Sequence, residues 1–387
     1  ISVAVGLGVA ASVIERSLRH GSAKAADAFD LIVAAPGSQS QVVLTTVFLQ
    51  AAAIPLIPGE TLEKLRQEPG VVYAAPIGFG DRLGRNPIVG SSTDLLTRGG
   101  TAALPEGRVF ASDHEAVVGA AVGLKVGAEF AAQHGMASEA DDDDDDHDAE
   151  TPEAHAGFKF TVVGRMAPTG TPWDQAIIVP IEAVWQVHGF NNGHAAGVTR
   201  IGPPWESADA PGVPAIVVKP RTVSDAYRLR GKYRTGGTMA LFPAEVLVEI
   251  YAAMGNARDV LTLIATITQI LVVCAVILAI TASLEGQRQR LAVLRALGAS
   301  RFYMLSTIWL YAGLMVAIGA AIGLGVGWLL AQGVARWLTA RTATSLSVDL
   351  TSADVGLLGI LLLVGLLGAL VPAWRAYRQP VSPALRA

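Results

Sequence analysis

Cysteine is almost missing from this sequence. Cys274 is the one cysteine in 387 residues, so no disulfide forms within the chain, and cysteine usage says nothing about redox compartment. Charge is scarce as well: Asp, Glu, Lys and Arg make up 16% and aromatics 6%, against 51% hydrophobic residues. The mean hydropathy is +0.44. A net charge of −4, with no basic stripe away from the long apolar runs, argues against nucleic acid as a partner. The sequence has no Walker-type phosphate loop, no dinucleotide glycine fingerprint between strand and helix, no nucleophile elbow and no His-rich zinc-protease helix. The chain itself is therefore expected not to be an enzyme and to carry no cofactor of its own.

What it has in quantity is uninterrupted apolar sequence. Residues 260–284, 302–335 and 355–374 hold no Asp, Glu, Lys, Arg or His. Each reaches the roughly 20 residues a helix needs to cross a hydrocarbon core. The opening stretch Ile1–Ile14 is shorter and ends at Glu15. It is expected to be the outer part of a first membrane helix that begins before Ile1, with helix and stalk together over 1–28. Arg288, Arg290, Arg295 and Arg301 separate the second and third runs, and Arg375, Arg378 and Arg386 follow the fourth. The positive-inside rule places both sets in the cytoplasm. The expected fold class is an α-helical membrane protein with four transmembrane helices. A large α/β plus β extracytoplasmic domain is inserted between the first and second helices, over about 29–255, and the remaining membrane domain spans 256–387.

Within the inserted domain, Asp30–Ala35 and Val71–Ile77 read as strands and Gly59–Glu68 as a helix. Ala215–Lys219 reads as another strand, followed by a helix over Ser224–Tyr233. These give an α/β part over about 29–109 and 201–255. Between them, short β-branched runs separated by glycines (Ala116–Phe130, Phe158–Gly164, Ala176–Pro180) predict a β-rich subdomain over about 110–200. One continuous α+β domain is the competing reading. An acidic loop over 139–155 carries six consecutive aspartates, Asp141–Asp146, which repel one another and favour a solvated, disordered segment. Asp141, Asp144, His147 and His155 also keep open weak binding of zinc or another divalent metal, since carboxylates and imidazoles are metal ligands. Their spacing matches no defined zinc pattern.

Two features bear on function. Gly319, Gly323 and Gly327 lie four residues apart in the third run, a spacing that lets helix backbones approach closely within one chain or between two copies. The segment Leu284–Arg301, LEGQRQRLAVLRALGASR, is a basic amphipathic insert between two uncharged runs. As a helix it gathers Leu284, Leu291 and Leu294 on one face and sets Glu285 and Arg288 at pairing distance. Gly298 then offers a left-handed stop, and Ser300 can cap the following helix. On these residues alone, the segment is either an interfacial helix that marks topology or a place where a cytoplasmic partner pushes.

The core of that segment, RLAVLRALGAS, resembles the signature of FtsX-type ABC transporter permeases, which include MacB-type and LolC/LolE-type proteins. The closing PAWRAYRQPVSPALR (Pro372–Arg386) is similar to the family's C-terminal pattern. VVGAAVGLKVGAEF, FTVVGRMAPTGTPWDQAIIVP and ALFP (Ala240–Pro243) look like its MacB-like periplasmic core domain. The resemblance implies a multi-pass protein of the bacterial inner membrane with its large domain in the periplasm. It further implies that Glu285, Arg288, Arg290, Leu291, Leu294, Arg295, Leu297 and Gly298 form a coupling helix, over about 285–299, docked on a separate cytoplasmic ABC ATPase that binds ATP and Mg. A second copy of the permease, membrane lipids, and a periplasmic partner or substrate protein complete the expected partners. Mechanotransmission would then export or extract a lipid, lipoprotein, peptide or drug. The alternatives are an FtsX-like scaffold that activates a cell-wall hydrolase, and a metal-responsive transport component. The aspartate run is not a feature of the family; no nucleotide-binding domain lies within residues 1–387, unlike MacB-type members, and the end before Ile1 is open.

Overall fold

The computed structural model describes residues 2–50, 52–79, 81–134, 154–195, 197–206, 210–252, 297–342 and 346–352, with separate helical positions within 263–293 and 356–374. The chain divides into two units, Ile1–Arg19 with Ala253–Leu338 and Leu346–Ala387, and His20–Ala252 with Thr339–Ser345.

The first unit holds α1 (Ser2–Ala26) up to Arg19. This helix presents Val5, Val9 and Val13, all at most 3% exposed, as a stripe at four-residue spacing that packs with Ala331. The long helix over Arg301–Thr342, labelled α7 here, contains Leu305–Ala340. Among the described residues this is the one helix long and apolar enough to cross a membrane. The described positions of 260–284 and 355–374 are helical; the rest of those two expected spans lies outside the described residues.

The second unit is built on two sheets. The first has the order β11-β1-β10-β2, all antiparallel, from β1 (Leu31–Ala34), β2 (Val71–Ile77), β10 (Ala215–Pro220) and β11 (Met239–Leu241). Both faces of this sheet are buried, which explains why β1 reads as a continuous apolar run with no alternation. Leu31 and Val33 join the core beneath α3 (Gly59–Arg66) and α6 (Val223–Lys232), through Leu62, Leu65 and Leu229. Ile32 and Ala34 face the opposite core with Val42 and Val43 of α2 (Gln39–Thr46) and with Val246 and Leu247.

The second sheet, with β3 (Asp81–Leu83), β4 (Asn86–Ser91), β6 (Glu115–Val118) and β9 (Ile177–Pro180), runs β5-β8-β6-β9-β4-β3-β7, and β7 (Glu129–His134) pairs with β8 (Ala154–Arg165) as well as with β3. Six strands thus close on themselves, with β5 (Glu106–Gly107) appended outside. Phe130 and Phe160 stack inside at 5.4 Å, among Val118, Ile88 and Val179. Helix α5 (Ile181–Val187) follows β9 (Ile177–Pro180) and lies so close to β4 that Gly90 leaves no room for a side chain. A Cβ there would stand 2.5 Å from Val184 Cγ2. The short helix α4 (Thr93–Thr97) follows β4.

Two expected boundaries shift. The β-rich part begins well before residue 110, because β3 (Asp81–Leu83) and β4 (Asn86–Ser91) belong to the closed sheet. Pro87 and the left-handed Gly84 make this hairpin look like loop in sequence, and β4 is recruited by parallel pairing with the distant β9. The acidic loop is also shorter than 139–155. His155 falls in β8, whose Ala154 pairs with Gln133 of β7, so the aspartates connect two antiparallel neighbours.

Candidate functional site

The described end of the Leu284–Arg301 segment is built from local chemistry. Leu297 N donates to Val293 O at 3.0 Å, closing a last helical turn. Gly298 follows with φ +102°, a conformation that removes the chain from a helix and that L side chains resist. Ser300 Oγ then accepts from Tyr303 N at 3.1 Å and caps α7. Helix, stop and new helix follow within a few residues, as the sequence predicts. Leu297 is 80% exposed at this turn, an apolar side chain offered outward. Glu285, Arg288, Arg290, Leu291, Leu294 and Arg295 lie outside the described residues.

Of the glycines singled out in the third run, Gly323 and Gly327 are buried and Gly319 is half-buried. The first two meet α1. A Cβ on Gly327 would lie 2.5 Å from Gly6 O and 2.9 Å from Gly6 Cα, and one on Gly323 would lie 2.7 Å from Ser2 O. The crossing is backbone against backbone, and it lies within one chain. Gly6 is the residue missed in the sequence. Its signal, a glycine inside an apolar helix, was present but had no visible partner.

Asp141, Asp144 and His147 lie outside the described residues, and His155 has a described backbone only. Among the described residues no group of three or more His, Cys, Asp or Glu is placed to hold a metal ion.

Two polar clusters in the second unit went unnoticed in the sequence. At the first, Lys232 Nζ and the Tyr233 hydroxyl donate to Glu68, and Arg228 NH1 lies 3.8 Å away. The Lys232 hydrogen bond holds the Glu68 carboxyl below its usual range, and burial beside that carboxylate pushes Tyr233 up to about 12. At the second, Glu182 Oε1 accepts from Trp205 Nε1 at 2.6 Å and from Gly202 N at 2.8 Å, with His194 Nε2 3.7 Å away. Burial raises the Glu182 carboxyl above the ordinary range, against the pull of the Trp205 bond. Burial and then Arg200 hold the His194 imidazole below its ordinary value.

The hinge, its stop and cap, and the glycine-lined α7 all fall within one further observation: residues 262–381 match the family model for the FtsX-like permease C-terminal domain. The likeness to that family is carried by this segment alone. The match supports an ABC transporter permease component, from a family that is membrane-embedded and works with an ATPase subunit. Comparison with curated proteins gives no match.

Proposed function

We propose that this chain is the permease subunit of an ABC transporter that works by mechanotransmission. A separate cytoplasmic ATPase docks on the coupling helix over about 285–299. ATP binding and hydrolysis there tilt the membrane helices, and the tilt moves the large domain on the far side of the membrane. The single observation that carries this reading is the charged, capped turn between two uncharged runs, inside the FtsX-like segment. Membrane runs free of Asp, Glu, Lys, Arg and His suit a lever better than a carrier, because carriers and pumps place such groups along a substrate or proton path.

Under the same reading the chain crosses the bacterial inner membrane four times and pairs with a second copy. Its MacB-like domain lies in the periplasm and handles a lipid, lipoprotein, peptide or drug taken from there or from the membrane. The chain performs no chemistry of its own; ATP and Mg sit on the partner.

Arg288 and Arg295 are the residues to test. Charge reversal in a docked interface puts like charges together and costs several kcal/mol. Retention of the ATPase on the detergent-extracted chain should therefore fall at least about tenfold in Arg288→Glu and Arg295→Glu. ATPase retention equal to wild type in both variants would remove the coupling role from this segment.

A further inference from the structure

The antiparallel ladder between β1 and β11 ends at the pair Ala34 and Met239. Beyond that pair the two chains diverge. Pro36 has no N–H with which to continue the ladder, and Gly236 and Gly237, at φ +75° and +85°, turn the other chain away. The gap between them is a cleft of about 380 Å³, within the range of small-ligand sites. Pro36, Gly37 and Gln39 line it from one chain, and Arg234, Gly236 and Gly237 from the other.

The polar groups of this cleft are uncommitted. Among the described residues, the Arg234 guanidinium, the Gln39 amide and the Gly236 and Gly237 N–H groups make no hydrogen bond or ion pair. No Asp or Glu lines the cleft. The neighbouring cleft, of about 560 Å³, shares Thr235, Gly236 and Thr238 with it and has the opposite character. There Lys64 pairs with Glu60, Gln67 with Glu63, and Lys232 and Tyr233 with Glu68. Those groups are committed to one another, and the Glu68 carboxylate repels an anion. One loop thus separates a cleft neutralised from within from a cleft that gathers free donors around a cation.

We propose that the cleft between 36–39 and 234–237 binds a phosphate group, with Arg234 supplying the charge and the Gly236 and Gly237 N–H groups further donors. The guanidinium fork matches two phosphate oxygens, and bonds to an ionised acceptor are about twice as strong as neutral ones. Donors on both chains suit a tetrahedral group; a planar carboxylate held by the fork has no third oxygen to offer. Nothing in the chain stands within 4 Å of where a side chain on Gly236 or Gly237 would begin, so the loop backbone is open to an approaching ligand. A free phosphate ester and a phospholipid headgroup present the same oxygens. Binding here requires no ATPase at 285–299, so this site stands apart from the coupling helix.

The test is hydrogen exchange of the full chain in detergent, read on peptides covering 36–40 and 234–239, at constant ionic strength because salt screens exposed charges. Two probes, glycerol 3-phosphate and soluble dihexanoyl phosphatidic acid, differ only in acyl chains and are each titrated to about 20 mM. Exchange around Gly236 and Gly237 should slow about 3- to 10-fold at saturation, with a midpoint on the order of 1 mM. Equal midpoints assign the phosphate ester alone as ligand; a midpoint at least about tenfold lower for the lipid assigns a lipid headgroup. Arg234 is exposed and unpaired, so its replacement leaves the fold intact. Arg234→Gln should raise the midpoint at least about tenfold, and Arg234→Lys should recover part of that loss, as a point charge without the fork. Arg221→Gln removes an exposed arginine at the other end of α6, roughly 15 Å away, and should leave the midpoint unchanged. No slowing with either probe, a wild-type midpoint in Arg234→Gln, or an equal rise in Arg221→Gln would each overturn the site.

Discussion

Gly327→Ala is expected to destabilise the packing of α1 on α7 by about 1–3 kcal/mol, the usual range for forcing extra volume into a closed contact. The added methyl would meet Gly6 O and Gly6 Cα. Backbone atoms cannot rotate aside as a side-chain tip does, so the two helices must separate. Separation also removes the contacts of the Val5, Val9 and Val13 stripe with Ala331, because in lipid close packing itself supplies the association energy. Gly327→Leu should be worse still. Gly325 is the internal control: two residues away on the same helix, it is exposed, and a Cβ there meets nothing within 4 Å. Gly325→Ala should be neutral, or slightly stabilising because alanine is the better helix former by about 1 kcal/mol. The midpoint of SDS-induced unfolding of the detergent-solubilised chain separates the cases. Equal midpoints for Gly327→Ala and Gly325→Ala would dismiss the backbone crossing.

Local chemistry was the legible part of this chain. The stop at Gly298 and the cap at Ser300 depend on residues within a few positions of each other, so spacing alone reveals them. The strand at Leu31–Ala34 was readable because burial on both faces demands an unbroken apolar run. The helices near Gly59 and Val223 announced themselves by period and by charge placement, with acidic residues in the first turn and basic ones in the last.

What stayed hidden is what distance in the chain decides. The hairpin β3–β4 carries a proline and a left-handed glycine and becomes sheet only by pairing with strands elsewhere. Gly6 gains its meaning from Gly327, over three hundred residues away. Glu182, His194 and Trp205 are ordinary residues on a helix and an irregular stretch, with no motif spacing. Only the fold gathers them. The segment Glu285 to Arg295 was readable as a pattern because amphipathic periodicity survives in sequence.

Arg165 is a second position where folding concentrates several interactions in one side chain. Its guanidinium NH1 donates to the carbonyls of Val122 at 2.9 Å, Gly119 at 3.3 Å and Ala120 at 3.4 Å, its NH2 donates to Leu124, and its Nε faces Glu106 at 3.4 Å. The loop so gathered joins β6 (Glu115–Val118) to β7, and its far side is tied by Gly119 N to Ala176 O and by Ala121 N to Asp174 O, both 2.8 Å. Arg165→Ala leaves the gathered carbonyls without their donor. A hydrogen bond to a charged group is worth about 1.5–3 kcal/mol, but bonds sharing one side chain do not add. The expected loss is about 3 kcal/mol, read as roughly 100-fold faster exchange of the 119–127 amides in the full chain. Arg165→Lys should recover only part, because a point charge cannot serve a fork of carbonyls at once. The exposed Arg108, although it grips Glu115 with two bonds, should matter far less, since water replaces what an exposed ion pair loses. Exchange in Arg165→Ala no faster than in Arg108→Ala would refute the clasp, and would shift the loop's order onto its backbone bonds to Ala176 and Asp174.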